Sequence, residues 1–159
     1  MNLIIVDNVI EDPIEYVNDI LEKDFIDVSD GVNVFKNIQP RYDSDEFTSY
    51  VIDLVGPMYD VSWNFVRKSP LNQEEPNFIH TDEMMGDITA ILYLSIKHPD
   101  GDGTTIYNDD GSKSCVIYSK FNRMIVFDSS LPHSRNIFEN FGVDNESRLI
   151  QVVFLSEKK

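Results

Sequence analysis

The first third of the chain carries apolar residues in both helical and extended patterns. Apolar positions recur at helical spacing from Asp12-Pro13 to Lys23, behind an Asp cap and a proline in the first turn. The same spacing over Asp45–Val55 predicts a second helix. The apolar run Leu3–Val6 predicts a strand, and Val28–Ile38 predicts two strands joined by a turn at Asp30-Gly31.

From Met58 onward the pattern changes to short β-rich runs that are separated by turn residues. Eight antiparallel strands at this spacing are typical of a sandwich or jelly roll, and the two preceding helices are expected to pack on one outer sheet face. The predicted fold is therefore a single α+β domain dominated by β structure. Residues 1–57 form an α/β N-terminal part that packs on a jelly-roll core of residues 58–156. The predicted strands are Tyr59–Val66, Asn77–Thr81, Ile88–Ser95, Thr104–Asn108, Ser114–Ser119, Arg123–Asp128, Ser134–Phe138 and Arg148–Leu155.

Composition narrows the classes of partner. The 159 residues include 28 Asp and Glu against 13 Lys and Arg, a net charge of −15, which counts against nucleic acid or an anionic membrane as the main partner. The only cysteine, Cys115, excludes an internal disulfide and favours a reducing compartment. The sequence has no apolar run near the roughly 20 residues of a membrane helix, and its start lacks the features of a signal peptide. A cytoplasmic location is expected.

Two short segments carry metal-ligand chemistry. In His80-Thr81-Asp82, positions i and i+2 of an extended chain point to the same face, so both side chains can reach one ion. His133 begins another predicted strand after Leu131-Pro132. Two histidines and one carboxylate on one face of a metal leave the opposite face open, the arrangement that non-haem Fe(II) oxygenases use.

Arg148 is an independent indication of a ligand. It begins a strand in which it shares a face with apolar Ile150, Val152 and Phe154, and no acidic residue lies on that face. An inward guanidinium needs a partner, and a ligand carboxylate held by two hydrogen bonds would supply one. Tyr93, on the inward face of its own strand, offers a hydroxyl to the same pocket.

With these residues in place, the chain resembles the 2-oxoglutarate/Fe(II)-dependent dioxygenases of the double-stranded β-helix (jelly-roll, cupin-like) fold, and among them the prolyl 4-hydroxylase-like branch. The resemblance covers roughly residues 58–155. The matching segments are His80-Thr81-Asp82, Ile88–Ser95, Gly101–Thr104, Asn122–Asp128, Pro132-His133 and Arg148–Phe154.

The resemblance implies a ligand set and an activity. His80, Asp82 and His133 would bind Fe(II), while Arg148, assisted by Tyr93, would hold the distal carboxylate of the co-substrate 2-oxoglutarate. The expected reaction consumes O₂, releases succinate and CO₂, and hydroxylates a peptide or protein side chain or a small molecule. The chain departs from the branch at Gly101-Asp102-Gly103-Thr104, where a Gly-Gly pair is usual, and in the long segment Asn136–Asn145.

Two other classes of function stay open at this stage. A cupin-like metal-dependent isomerase would use the same jelly roll, although many cupins use more histidine ligands. A non-catalytic binding module would be favoured by a missing ligand, and none is missing. Arg135, two residues after His133, either faces the site or forms a surface salt bridge, while His98 is expected to be structural.

Overall fold

Two antiparallel sheets form the body of the protein in the computed structural model, which describes residues 3–159. The large sheet has the order β1-β8-β5-β10-β4-β3-β2, and the small sheet has the order β7-β6-β9. The elements in chain order are β1 (Leu3–Val6), α1 (Pro13–Leu21), β2 (Ile26–Ser29), β3 (Val34–Pro40), α2 (Glu46–Val55), β4 (Tyr59–Ser69), β5 (Ile88–Tyr93), β6 (Gly103–Tyr107), β7 (Lys113–Tyr118), β8 (Arg123–Asp128), β9 (His133–Arg135), a 3₁₀ turn (Asp144–Glu146) and β10 (Arg148–Glu157).

An apolar core fills the space between the two sheets. Alternate residues of β5, β8 and β10 point into it, because side chains alternate between the faces of a strand. The small sheet contributes Ile106 and Ile117 from the opposite side. The large sheet supplies Ile91, Tyr93, Ile125, Phe127, Val152 and Phe154. This arrangement is a jelly-roll sandwich with its core between the layers.

The other face of the large sheet belongs to the same buried cluster as both helices. Ile20 of α1 and Phe47 of α2 are fully buried in this cluster together with Leu92 and Val153. Burying side chains of this size contributes about 1.5–3 kcal/mol each. The helices begin where Asp12 accepts a hydrogen bond from the Glu15 amide and Asp45 accepts one from the Thr48 amide. No helix in residues 3–159 combines the length and apolar character needed to cross a membrane.

The N-terminal part also extends the large sheet at both ends. Strand β1 pairs with β8, with Leu3 opposite Phe127, and β3 pairs with β4, with Ile38 opposite Arg67. Three of the seven strands, β1, β2 and β3, therefore precede the predicted jelly-roll segment. The sequence pattern identified these strands, but it carried no information on their pairing partners.

Two predicted strands are wrong in extent. Asn77–Thr81 is not a strand: Phe78 and Ile79 are 61% and 50% exposed, and only His80 forms a bridge, opposite His133. Phe78 and Ile79 are adjacent and both exposed, so this apolar pair does not specify a strand with a buried face. Ser134–Phe138 is replaced by His133–Arg135. Beyond the strand, Asn136 donates its backbone N–H to the Gly103 carbonyl and its side-chain amide to the Ile117 carbonyl.

Candidate active site

The three predicted metal ligands lie together at one end of the sandwich. One side-chain ligand atom from each of His80, Asp82 and His133 lies within 4.8 Å of the others. The backbone produces this proximity, since His80 and His133 exchange N–H···O=C hydrogen bonds of 3.0 and 2.9 Å. The Asp82 amide donates to the Ser129 carbonyl over 2.8 Å. These backbone hydrogen bonds therefore position all three predicted ligands.

Both histidine rings present the same nitrogen to Asp82. Each Nδ1 lies 2.9 Å from a backbone carbonyl two residues earlier, Phe78 for His80 and Leu131 for His133. A carbonyl only accepts, so each Nδ1 carries a proton and the Nε2 lone pairs are directed inwards. The Nε2 atoms lie 3.4 and 3.1 Å from the two oxygens of Asp82. Two lone pairs facing a carboxylate repel unless a proton or a metal cation lies between them.

The pKa values of Asp82 and His80 reflect that geometry. Burial raises the pKa of Asp82, but hydrogen bonds with His133 and His80 outweigh it and hold the pKa well below its ordinary 3.8. The hydrogen bond with Asp82 raises the pKa of His80 above its ordinary 6.5, against the opposing effect of burial. A positive charge beside Asp82, from a proton or a metal cation, is therefore favourable.

One hydroxyl holds Asp82 from behind, and a second hydroxyl contacts the first. Thr89 donates to Asp82 Oδ2 over 3.2 Å, and its oxygen lies 2.9 Å from the Ser129 hydroxyl. Phe127 packs edge-on against the His133 ring, with centroids 4.9 Å apart. Sequence reasoning assigned neither hydroxyl a role. A usable signal was present for Thr89, a polar residue in the inward row of β5.

The donor set suits a divalent transition metal. Two imidazole nitrogens and one carboxylate oxygen match the ligands of non-haem Fe(II) sites that keep open positions. The side chain of His80 is 41% exposed, whereas those of Asp82 and His133 are 12% and 6% exposed. The site is thus accessible from the His80 side and enclosed on the other.

Arg148 and Tyr93 face the core as predicted, but Arg148 has a neighbour that its strand did not reveal. Its Nε lies 3.6 Å from Oδ1 of Asp102, which comes from the turn before β6, and neither atom has a hydrogen-bond partner among residues 3–159. The Tyr93 oxygen lies 2.6 Å from the Thr104 hydroxyl. Burial raises the pKa of Tyr93, so its phenol stays protonated.

Arg135 points inwards rather than forming a surface salt bridge. It lies opposite Thr104 in the pairing of β9 with β6, and Thr104 contacts Tyr93 inside the sandwich. Its guanidinium donates to Asn140 Oδ1 over 2.7 Å and to the Glu139 carbonyl over 3.3 Å. Burial and then the charge of Arg148 lower the pKa of Arg135 to about 10.

A third arginine and a cleft lie beside these groups. Arg67 of β4 pairs with the buried Glu75, with Nε and Oε1 3.1 Å apart. Glu75 and Asn140 both line a cleft of about 670 Å³. Its other walls are Leu71, Asn72, Gln73, Glu74, Phe138 and Glu139. A smaller cleft of about 310 Å³, next to Glu83, is lined by neither histidine.

Solved structures share this fold. The epimerase SnoN from nogalamycin biosynthesis, in complex with Fe³⁺, alpha-ketoglutarate and nogalamycin RO, has 12% identity over 98% of this chain and 79% of its own, with a TM-score of 0.66. A 2OG-Fe(II) oxygenase family protein from Burkholderia pseudomallei has 10% identity over 98% and 85%, with a TM-score of 0.63. EctD from S. alaskensis, with 2-oxoglutarate and 5-hydroxyectoine, has 12% identity over 96% and 71%, with a TM-score of 0.61.

The comparison defines the fold class. No protein-family model and no curated protein matches the sequence. At 10–12% identity the similarity to these structures concerns the fold alone, and it confirms the predicted β-dominated jelly roll. The chain therefore has the fold of 2-oxoglutarate/Fe(II) oxygenase-type proteins and, in that fold, a His-Asp-His cluster. The prolyl 4-hydroxylase-like branch stays a prediction.

Proposed function

We propose that the protein is an Fe(II)- and 2-oxoglutarate-dependent oxygenase. The observation that carries the proposal is the convergence of His80 Nε2, His133 Nε2 and the Asp82 carboxylate within 4.8 Å. Both Nδ1 protons are already bound to backbone carbonyls, which leaves the three ligand atoms directed at one point. Solved structures of the same fold hold iron or 2-oxoglutarate.

The side chains of the site hold and orient the reacting groups. His80, Asp82 and His133 would hold Fe(II), while Thr89, itself in contact with the Ser129 hydroxyl, donates to the carboxylate of Asp82. Bound iron supplies the redox chemistry by which O₂ converts 2-oxoglutarate to succinate and CO₂ and oxidises a substrate C–H bond. Phe127 and the enclosed side of His133 keep water away from that face.

Arg148 and Tyr93 would bind the distal carboxylate of 2-oxoglutarate. Both are almost fully buried, 4% and 1% exposed, so hydrogen bonds to an anion there are little weakened by water. The guanidinium supplies charge and direction, and the phenol supplies a neutral donor because its raised pKa keeps the proton.

The proposed reaction is hydroxylation, of the kind expected for the prolyl 4-hydroxylase-like branch. The 670 Å³ cleft, lined by the partners of Arg67 and Arg135, combines exposed Leu71 and Phe138 with Glu74 and Glu139. This lining favours a neutral or cationic small molecule or peptide, and the net charge of −15 counts against nucleic acid. The free thiol of Cys115 supports a reducing, cytoplasmic compartment.

Anaerobic calorimetry with Mn(II) in place of Fe(II) tests the proposal. We expect about one metal ion per chain and binding of 2-oxoglutarate only when the metal is present, as the ligand count implies. A cupin-like isomerase would bind the metal without 2-oxoglutarate, and a binding module would bind neither. Either of those results would contradict the proposed function.

A further inference from the structure

Five ionisable side chains gather at the Arg148 end of the sandwich. Three guanidinium groups against two carboxylates leave one uncompensated positive charge, in a protein whose net charge is −15. We call this set the charge cluster. Its members are Arg67, Glu75, Asp102, Arg135 and Arg148.

The pairing within the charge cluster is incomplete. Arg67 has Glu75 at 3.1 Å and Arg148 has Asp102 at 3.6 Å, but Arg135 has no ion pair among residues 3–159. Arg135 donates only to a neutral amide oxygen and a carbonyl. The Nε atoms of Arg67 and Arg148 each face a carboxylate, at 3.1 and 3.6 Å, whereas the buried Nε of Arg135 has no hydrogen-bond partner within the described residues. A buried donor without a partner is costly, which favours a ligand that accepts a hydrogen bond from Arg135.

The topology places Arg135 beside the proposed co-substrate pocket. It lies on the same strand face as His133, two residues further along β9 and opposite Thr104. Thr104 is bonded to the Tyr93 hydroxyl, and Tyr93 lies opposite Ile150, two residues from Arg148 on β10. An anion between Tyr93 and Arg148 is therefore bordered by Arg135 as well.

Asp102 adds a negative charge to the pocket, whereas Arg135 adds a positive one. Its side chain is 2% exposed, and its carboxylate is the nearest anion to Arg148. It lies in the turn Gly101–Thr104, where the prolyl 4-hydroxylase-like branch usually has a Gly-Gly pair. A carboxylate there offsets one guanidinium, so one monoanion neutralises the charge cluster and a dianion leaves an excess negative charge.

We propose that Arg135 and Asp102 set the charge of the co-substrate pocket. Arg135 shares the distal carboxylate with Arg148, whereas Asp102 competes for Arg148, so the pocket selects a single carboxylate over a dianionic head group. This inference rests on the proposed function. It adds two specificity-determining residues to the pocket.

Calorimetry of 2-oxoglutarate binding to the anaerobic, Mn(II)-loaded protein tests the inference through a set of charge variants. Arg135→Gln should weaken binding on the order of tenfold, because one charge-assisted hydrogen bond is lost. Asp102→Asn should strengthen binding by a similar factor. It should also allow binding of 2-oxo-4-phosphonobutanoate, which carries a phosphonate in place of the distal carboxylate. The double variant restores the net charge of the cluster and should return to within about threefold of wild type.

The controls separate this inference from the proposed function. Lys158→Gln removes a positive charge in an exposed ion pair with Asp60 and should leave 2-oxoglutarate binding unchanged. If the wild-type protein binds no 2-oxoglutarate, the proposed function fails. If wild type binds and Arg135→Gln binds equally well, or if the double variant is no better than Arg135→Gln, the inference is overturned. Should Arg135→Gln not fold, Arg135→Lys replaces it, with a smaller loss expected since the charge is kept.

Discussion

At the scale of single residues, the proposed metal centre depends on a hydroxyl that is not one of the three candidate ligands. Thr89 holds Asp82 Oδ2 at 3.2 Å from a fully enclosed position. We expect Thr89→Val, which keeps the shape, to weaken Mn(II) binding by about tenfold, because partners behind a metal ligand commonly contribute that much. Calorimetry measures the change. Thr105→Val, in the small sheet with its hydroxyl bonded to Asn136, is the matched control, and equal losses in both variants would contradict the role given to Thr89.

The same residues predict a pH dependence for the metal-free protein. The raised pKa of His80 adds stability that is complete below about 6.5 and is lost as the pH rises through the folded-state pKa. The lowered pKa of Asp82 adds stability that is present above about 3.8 and is lost as the pH falls below it. In chelator, thermal unfolding should therefore show His80→Gln closest to wild type at about pH 8.5 and furthest below it near pH 5.5. A gap that widens with pH would contradict this assignment.

The grouping of the three candidate ligands is only partly local. His80 and Asp82 are two residues apart in the chain, whereas His133 is brought to them by backbone hydrogen bonds with His80. The contacts of Asp102 and Ser129 were not predictable, since they join segments far apart in sequence, whereas Thr89 is seven residues from Asp82. The inward direction of Arg148 followed from the apolar row on its strand, but the carboxylate beside it comes from the turn before β6.

At the scale of elements, the turn before β6 positions Asp102. Gly103 has φ +147°, and a Cβ there would meet the carbonyl oxygen of Ile117 in the neighbouring strand β7. We expect Gly103→Ala to destabilise the protein by roughly 3 kcal/mol or more, because backbone strain and a clash with backbone act together. Gly111→Ala is the control: its φ is +85° and the space around it is open, so about 1 kcal/mol is expected. Urea unfolding measures both, and equal losses would contradict the close packing of this turn.

The elements also show where periodicity is a reliable guide. Both helices were predicted because proline, capping aspartates and helical spacing act within one turn. The strand predicted at Asn77–Thr81 was wrong because Phe78 and Ile79 are apolar but exposed, so they do not pack against a core. The segment nevertheless contributes His80 to the site, because a single β-bridge holds this residue opposite His133.

At the scale of the whole molecule, self-repulsion is the dominant electrostatic effect. With a net charge of −15, added salt should screen the repulsion and raise the melting temperature. Between about 0.01 and 0.1 M NaCl, where the screening length falls from about 30 to about 10 Å, we expect a rise of a few degrees. Neutralising exposed Glu22, Asp43 and Asp109 to amides should reduce that rise. A melting temperature that falls with salt would contradict this account.

The central claim is that the fold and the His-Asp-His cluster together make an Fe(II)- and 2-oxoglutarate-dependent oxygenase. Succinate formation from 2-oxoglutarate, with Fe(II) and O₂, measures it most directly. We expect turnover in the wild-type protein and in His98→Ala, whose imidazole Nδ1 lies 3.0 Å from the carbonyl of the adjacent Pro99. We expect no turnover in folded Asp82→Ala or His133→Ala, because each lacks one of the three ligands. Undiminished succinate formation in Asp82→Ala, or none in wild type supplied with a panel of amino acids and peptides, would contradict the account.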